Sequence, residues 1–245
     1  MDQDATWLRI KDNLPGLSFI KAAMSVLVYN SRGQEGIMRD IIIIVAAFLF
    51  FASAVFGQGA KTSFTDPRDG QVYGIKKVGT LTWMKENLRY DYPDESWCYD
   101  DDEEACAELG MLYTFTAARK ACPVGWRLPT DADWMDLEKA LGMPQNQLTI
   151  DGYSTPRGTE GQKLKAGGSS GLDFKISGFA TISQGIATFE GIDGDRPRSY
   201  FWTATSRTVK GQTNAYRRRI EAKNGNIFRF SNPTAGYAVA VRCVQ

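Results

Sequence analysis

The sequence predicts an α+β domain, in which two helices pack on short, mostly antiparallel strands joined by long loops. Three observations predict it. Two helix-forming segments lie early, at 112–121 and 130–141. Short strand-like runs follow from residue 179 to the C-terminus, and Gly-rich stretches separate them. A hydrophobic content of 43% and an aromatic content of 12% suffice for a packed core and exclude a disordered chain.

Charge and composition exclude several functions. The 29 Lys+Arg against 28 Asp+Glu leave a net charge of +1, so there is no electrostatic case for a nucleic acid partner or an anionic membrane surface. The chain has no His, which removes His-based triads, imidazole acid–base catalysis and His metal sites. No Ser or Lys stands in a spacing that marks a nucleophile and its base. The chain is read as not an enzyme.

The first element is the apolar run Ile41–Val55, fifteen residues without a charge. Arg39 precedes it, and small residues around Gly57 follow. That describes a secretory signal peptide over 38–57, cut before Gln58. Ala52-Ser53-Ala54 offers a second cut. An uncleaved anchor is the alternative, although a spanning helix wants about 20 apolar residues. Membrane contact is thus expected only during export or through such an anchor. Residues 1–37 carry no motif. Met38 is the expected start, with 1–37 an over-extended N-terminus or, if Met1 is real, a short tail. The mature domain is 58–245, and its expected location is secreted, periplasmic or at the cell surface.

In the mature chain, Asp66-Pro67-Arg68-Asp69-Gly70 is a turn cluster. Gln71–Val78 and Leu81–Met84 read as a hairpin turning at Gly79-Thr80. Next come five consecutive acidic residues, 100–104. They could cradle Ca²⁺ but lack EF-hand spacing and its turn Gly, so a solvated loop tip is expected, with no resident cofactor. Leu112–Ala121 reads as a helix ended by Cys122-Pro123. Thr130 is a good N-cap, and Asp133 three residues on makes an Asp version of the capping box. Trp134, Leu137 and Leu141 then share one face, and Gly142 is the stop.

Residues 148–171 read as loop with short strand pieces such as Gln162–Lys165. Phe179–Ile186 and Tyr200–Ala204 read as strands. Ala215–Ala222 and Ile227–Phe230 flank Asn224-Gly225, a hairpin signal. Tyr237, Val239, Val241 and Cys243 alternate with Ala238, Ala240 and Arg242 as a terminal strand. There is no internal repeat.

Several separated motifs then occur in order: Thr65–Tyr73, Trp83-Met84-Lys85-Glu86-Asn87-Leu88, Leu112-Tyr113-Thr114-Phe115, Cys122–Asp131, Phe201-Trp202-Thr203-Ala204-Thr205 and Val241-Arg242-Cys243. In these motifs the chain resembles the Fibrobacter succinogenes major paralogous domain, a family of secreted bacterial proteins, over about 64–245. The resemblance implies a C-type-lectin-like fold and export, and no established activity. The stretch Arg127–Trp134 also looks like part of formylglycine-generating enzymes, which hold copper on a pair of nearby cysteines. The spacing of the four Cys here does not offer that pair near the C-terminus. The Glu-Pro-Asn, Gln-Pro-Asp and Trp-Asn-Asp triplets of calcium-dependent sugar-binding lectins are absent from the sequence.

Four Cys allow three disulfide pairings, and export permits them, with buried free thiols as the alternative. Cys98 and Cys106 lie eight apart, which points to a local bridge. Cys122–Cys243 follows by elimination and from the Arg-Cys ending of the resembled family. No closely spaced Cys pair and no His suggest zinc.

Four residues are candidate ligand contacts. Trp97, among charges, could offer a stacking face. Asp193 and Asp195 stand two apart in a Gly-containing loop, either a polar-ligand or Ca²⁺ site or an ordinary turn. In Arg217-Arg218-Arg219, strand alternation points Arg218 opposite to its neighbours. It is read either as a contact to an anionic patch or as part of a charged edge strand. The expected role is non-catalytic binding of a glycan or protein, with a formylglycine-generating type of enzyme or a purely structural surface component as alternatives.

Overall fold

A computed structural model describes residues 61–245. The expected signal peptide at 38–57 and the segment 1–37 lie outside the described residues. Among the described residues, no helix is long and apolar enough to cross a membrane.

The chain opens with a three-stranded antiparallel sheet, β1 (Ser63–Thr65), β2 (Val72–Val78) and β3 (Leu81–Met84). The turn cluster before β2 is tied by Arg68, whose Nη2 donates to Asp66 Oδ2 at 2.6 Å and to Ala121 O at 2.8 Å. The β2–β3 turn falls at Gly79-Thr80 as expected. Gly79 has φ 65°, and an added Cβ would stand 2.7 Å from Asp136 Oδ2, which accepts bonds from Thr80 N and Oγ1.

The remaining strands form a nine-stranded sheet. They are β4 (Ser96–Trp97), β5 (Leu112–Tyr113), β6 (Pro156–Arg157), β7 (Phe179–Ser183), β8 (Ile186–Glu190), β9 (Arg198–Val209), β10 (Gln212–Glu221), β11 (Ile227–Pro233) and β12 (Tyr237–Ala240). The main path runs β4-β5-β12-β9-β10-β11-β6, and β7 leaves it from β12 to pair with β8. Only β12 with β9 is parallel; the other pairs are antiparallel.

The helices are α1 (Glu103–Leu109), α2 (Phe115–Ala121), α3 (Asp131–Ala140), α4 (Gln145–Leu148) and α5 (Gly161–Leu164). The capping box of α3 forms, with Thr130 Oγ1 accepting from Asp133 N at 3.1 Å and Asp133 Oδ2 accepting from Thr130 N at 2.6 Å. α2 starts later than expected, because Leu112-Tyr113 pair in the sheet and Thr114 caps the helix. The acidic tip is not loop. A 3₁₀ turn over Tyr99–Asp101 leads to α1, whose N-cap Asp102 accepts from Glu104 N. Acidic side chains at a helix start suit its dipole. Gln162–Lys165, expected as strand, lies mostly in α5, and Phe179–Ile186 is broken by a turn at Gln184-Gly185. The Asn-Gly hairpin exists, but residues 222–226 make a longer loop in which Gly225 needs no positive φ.

The sheet divides the core. On one face Phe201, Ile220 and Ile227 pack with Trp134 and Leu137 of α3. On the other, Tyr200, Trp202, Phe228 and Phe230 join Phe115, Ala117 and Ala118 of α2. Trp134 is fully buried, with Trp83, Phe174 and Phe201 at ring distances of 5.4, 5.6 and 5.7 Å. The terminal strand is central, so its alternation does not separate core from solvent: Ala238 through Val244 are all buried. Cys98–Cys106 and Cys122–Cys243 are both disulfides. Such bridges belong to an oxidising, extracellular environment.

Candidate functional site

Three arginines in a row on β10 organise both faces of the sheet. β10 lies between β9 and β11, so these residues are not edge charges. Alternation sends Arg218 to the α3 face and Arg217 and Arg219 to the other.

Arg218 is fully buried, so its guanidinium is not at the surface. Its Nε donates to Glu138 Oε1 and its Nη1 to Asp131 Oδ1, both at 2.6 Å. Arg229, opposite it in register, donates Nη2 to Asp131 Oδ2 at 2.7 Å, and Arg157 clamps Glu138 with bonds of 2.8 and 3.0 Å. Asp131 and Glu138 stand seven positions apart on α3, so both carboxylates meet the sheet on one helix face. Burial works to raise the Asp131 carboxyl. Hydrogen bonds and charge from Arg229 and Arg218 outweigh it and hold the group below the usual carboxylate range. This network fastens helix to sheet.

The opposite face opens into a groove of about 240 Å³. Its floor is the β9–β11 sheet, where register aligns Trp202 with Arg217 and Phe230, and Tyr200 with Arg219 and Phe228. Phe179 and Thr181 of β7 and Glu190 of β8 form one wall; Tyr153, Asn232 and Tyr237 complete it. Gly178 brings that wall close. Its φ is 63°, and an added Cβ would stand 2.5 Å from both Glu190 O and the Tyr99 ring.

The groove is aromatic and hydrogen-bonded. Phe179 meets Tyr200 edge-on at 4.9 Å, and Tyr153 meets Phe230 at 5.1 Å. The Tyr153 and Tyr200 hydroxyls are 3.1 Å apart, and Arg198 Nε donates to Tyr200 Oη at 3.1 Å. Burial, and then the Tyr153 contact, push the Tyr200 hydroxyl above its ordinary pKa. Tyr153 is half exposed at the rim and Tyr237 partly exposed. Arg217 lies against Tyr237, its guanidinium 4.5 Å from that ring and 4.1 Å from the Trp202 ring. Its Nη2 donates to Pro233 O at 2.6 Å. Arg219 stacks on Phe228 at 3.7 Å and stands 3.0 Å from Glu221 Oε1.

The expected contacts lie elsewhere. Trp97 is half buried on β4 and packs in a small cluster with Tyr99, Leu112 and Ile192. Asp193 and Asp195 are exposed in the loop that begins at Gly191. Ile192 brings that loop to the Trp97 cluster, and neither Asp lines the groove. Among the described residues, no group of three or more Asp, Glu or Cys is disposed to hold a metal ion. The groove residues that sequence reasoning missed are Tyr153, Tyr200, Arg217 and Tyr237. The alternation on β10 already separated Arg217 from Arg218; what covered each face was not readable.

The motifs turn out to be clamps. Arg242 is buried and donates Nε and Nη2 to Asn87 Oδ1 and Nη1 to Leu172 O, while Asn87 Nδ2 donates to Leu109 O. Arg127 pairs with Asp133, the partner of Thr130 in the α3 capping box. Trp202, by contrast, is buried against Arg217, with Nε1 donating to Tyr113 O at 2.8 Å.

A family model described as the Fibrobacter succinogenes major domain matches residues 77–245, so the β1–β2 turn cluster precedes the matched segment. No curated protein and no solved structure matches the chain.

Proposed function

Starting from the fact that the chain belongs to the Fibrobacter succinogenes major domain family, we propose that it is an exported, non-catalytic binding module that holds a glycan in the groove over β9–β11. The observation that carries this reading is the pairing of partly exposed tyrosine faces, Tyr153 and Tyr237, with convergent polar groups on Asn232, Thr181, Glu190 and Arg198. Sugars are bound by such combinations, because their C–H faces stack on rings while their hydroxyls take hydrogen bonds. A volume of about 240 Å³ suits one sugar ring of a longer chain.

The composition of the groove supports a non-catalytic role. Glycoside hydrolysis uses two carboxylates about 5–9.5 Å apart. Among the lining residues Glu190 is the one carboxylate, exposed and 3.9 Å from Arg198. All four cysteines are in disulfides, which weighs against the formylglycine-generating alternative. We also read the α+β architecture as C-type-lectin-like. Family membership supports this, as does the closure of the domain where Trp83 bridges Val244. Export is supported by the disulfides.

A glycan array probed with the disulfide-bonded protein tests the proposal. Binding should appear and be lost in Tyr153→Ala/Tyr237→Ala without a matching loss of melting temperature. Absence of glycan binding, or binding indifferent to these substitutions, would overturn it.

A further inference from the structure

We propose that the groove takes the carboxylate of an acidic, uronic-acid-bearing glycan, with Arg217 as its anion receptor; this rests on the glycan-binding reading above.

The buried arginines of this domain are compensated in different ways. Arg218, Arg229 and Arg157 have Asp131 and Glu138. Arg219 has Glu221. Arg242 has no carboxylate, but its three nitrogens are all taken up by the Asn87 side chain and by the Met84, Lys85 and Leu172 carbonyls. Arg217 is only 3% exposed and has neither arrangement. Among the described residues it makes a single hydrogen bond, to Pro233 O, and its Nε is buried without a partner. The ionisable groups acting on it are the phenols of Tyr237, Tyr200 and Tyr153, and none of them is a carboxylate. Burial pushes its pKa down to about 10, which still leaves it charged at neutral pH.

A buried cation without a counter-charge is unfavourable, and an anion entering the groove would relieve it. The Trp202 and Tyr237 rings pack on the guanidinium, and Arg217 lines the groove with a planar fork of N–H donors. A planar carboxylate matches that fork. The sugar ring carrying the carboxylate would lie against Tyr153 or Tyr237. Arg198 at the rim adds positive charge, and Glu190 beside it is exposed and screened by water.

The test is calorimetric titration of the protein with galacturonic, glucuronic and mannuronic acid oligosaccharides, with the same fragments methyl-esterified, and with neutral oligosaccharides. At least one acidic series should bind, and esterification should weaken it at least tenfold. Arg217→Met, which keeps the packing volume and removes the charge, should weaken acidic binding at least tenfold without lowering the melting temperature; Arg217→Lys should lie between. Equal binding of acid and ester, or of neutral glycans in preference to acidic ones, would overturn the inference and leave the glycan reading standing. So would undiminished acidic binding by Arg217→Met. The esterification arm holds even if that variant fails to fold. Binding of no glycan, or binding insensitive to Tyr153→Ala, would overturn both.

Discussion

Arg242 donates two hydrogen bonds to the side-chain oxygen of Asn87, from Nε at 3.1 Å and from Nη2 at 2.7 Å, across 155 positions of sequence. The pair joins the segment after the first hairpin to the segment after the last strand, with Arg242 also bonding Met84, Lys85 and Leu172 carbonyls. Removing the guanidinium strands several buried acceptors, each costing about 1–3 kcal/mol. Arg242→Ala should therefore lose at least about 3 kcal/mol in chemical denaturation. A loss well under that would mean that water replaces the guanidinium.

The α3–sheet network makes a parallel prediction on the other face. Arg218→Ala leaves Asp131 and Glu138 short of a partner in a buried site, which costs about 3–5 kcal/mol. Arg219→Ala should cost less, because its one carboxylate, Glu221, keeps Arg196 at 3.2 Å. Equal losses in urea melts would refute the ranking.

Acid should weaken the fold in a defined direction. Burial raises and Arg bonds lower the carboxyls of Asp131 and Asp66, with a net depression in both. A depressed folded pKa contributes stability that is complete above the unfolded value, about 3.9, and is lost as pH falls through the folded value. Melting temperature should hold from neutral pH to about 4 and drop below it. Asp131→Asn should be destabilised at neutral pH and show a shallower acid drop.

Trp134→Ala empties a site enclosed by Trp83, Phe174 and Phe201. The usual loss for a buried large aromatic is about 3–5 kcal/mol. At about 2–4 °C per kcal/mol, the melting point should fall on the order of ten degrees. Trp97→Ala, half buried at the sheet end, should fall by less. Scanning calorimetry on both variants checks the order.

The two disulfides should differ in weight. Cys122–Cys243 closes 121 residues and Cys98–Cys106 closes 8. Chain entropy assigns about 5 kcal/mol to the first and about 2.5 to the second. Replacing each pair by Ser should destabilise in that order, and a reversal would show that native packing around α1 governs.

What the sequence determined by itself was local. The α3 capping box, the Gly79-Thr80 turn and the apolar face of Trp134 and Leu137 each depend on residues a few positions apart, so spacing suffices to read them. The disulfide pairing was legible from one short spacing and a resemblance. The tertiary structure decided the rest. Leu112-Tyr113 became strand because β12 and β4 offered partners on both sides, which no local propensity reports. The acidic run became a helix start because Asp102 could cap it. Arg218 looked like a surface charge and is buried, because two carboxylates from a distant helix meet it there. The groove was invisible for the same reason: Tyr153, Tyr200, Arg217 and Tyr237 come from four separate segments, and only the sheet register and the fold-back of β7–β8 bring them together. Alternation tells which residues share a face of a strand; what covers that face depends on contacts far away in sequence.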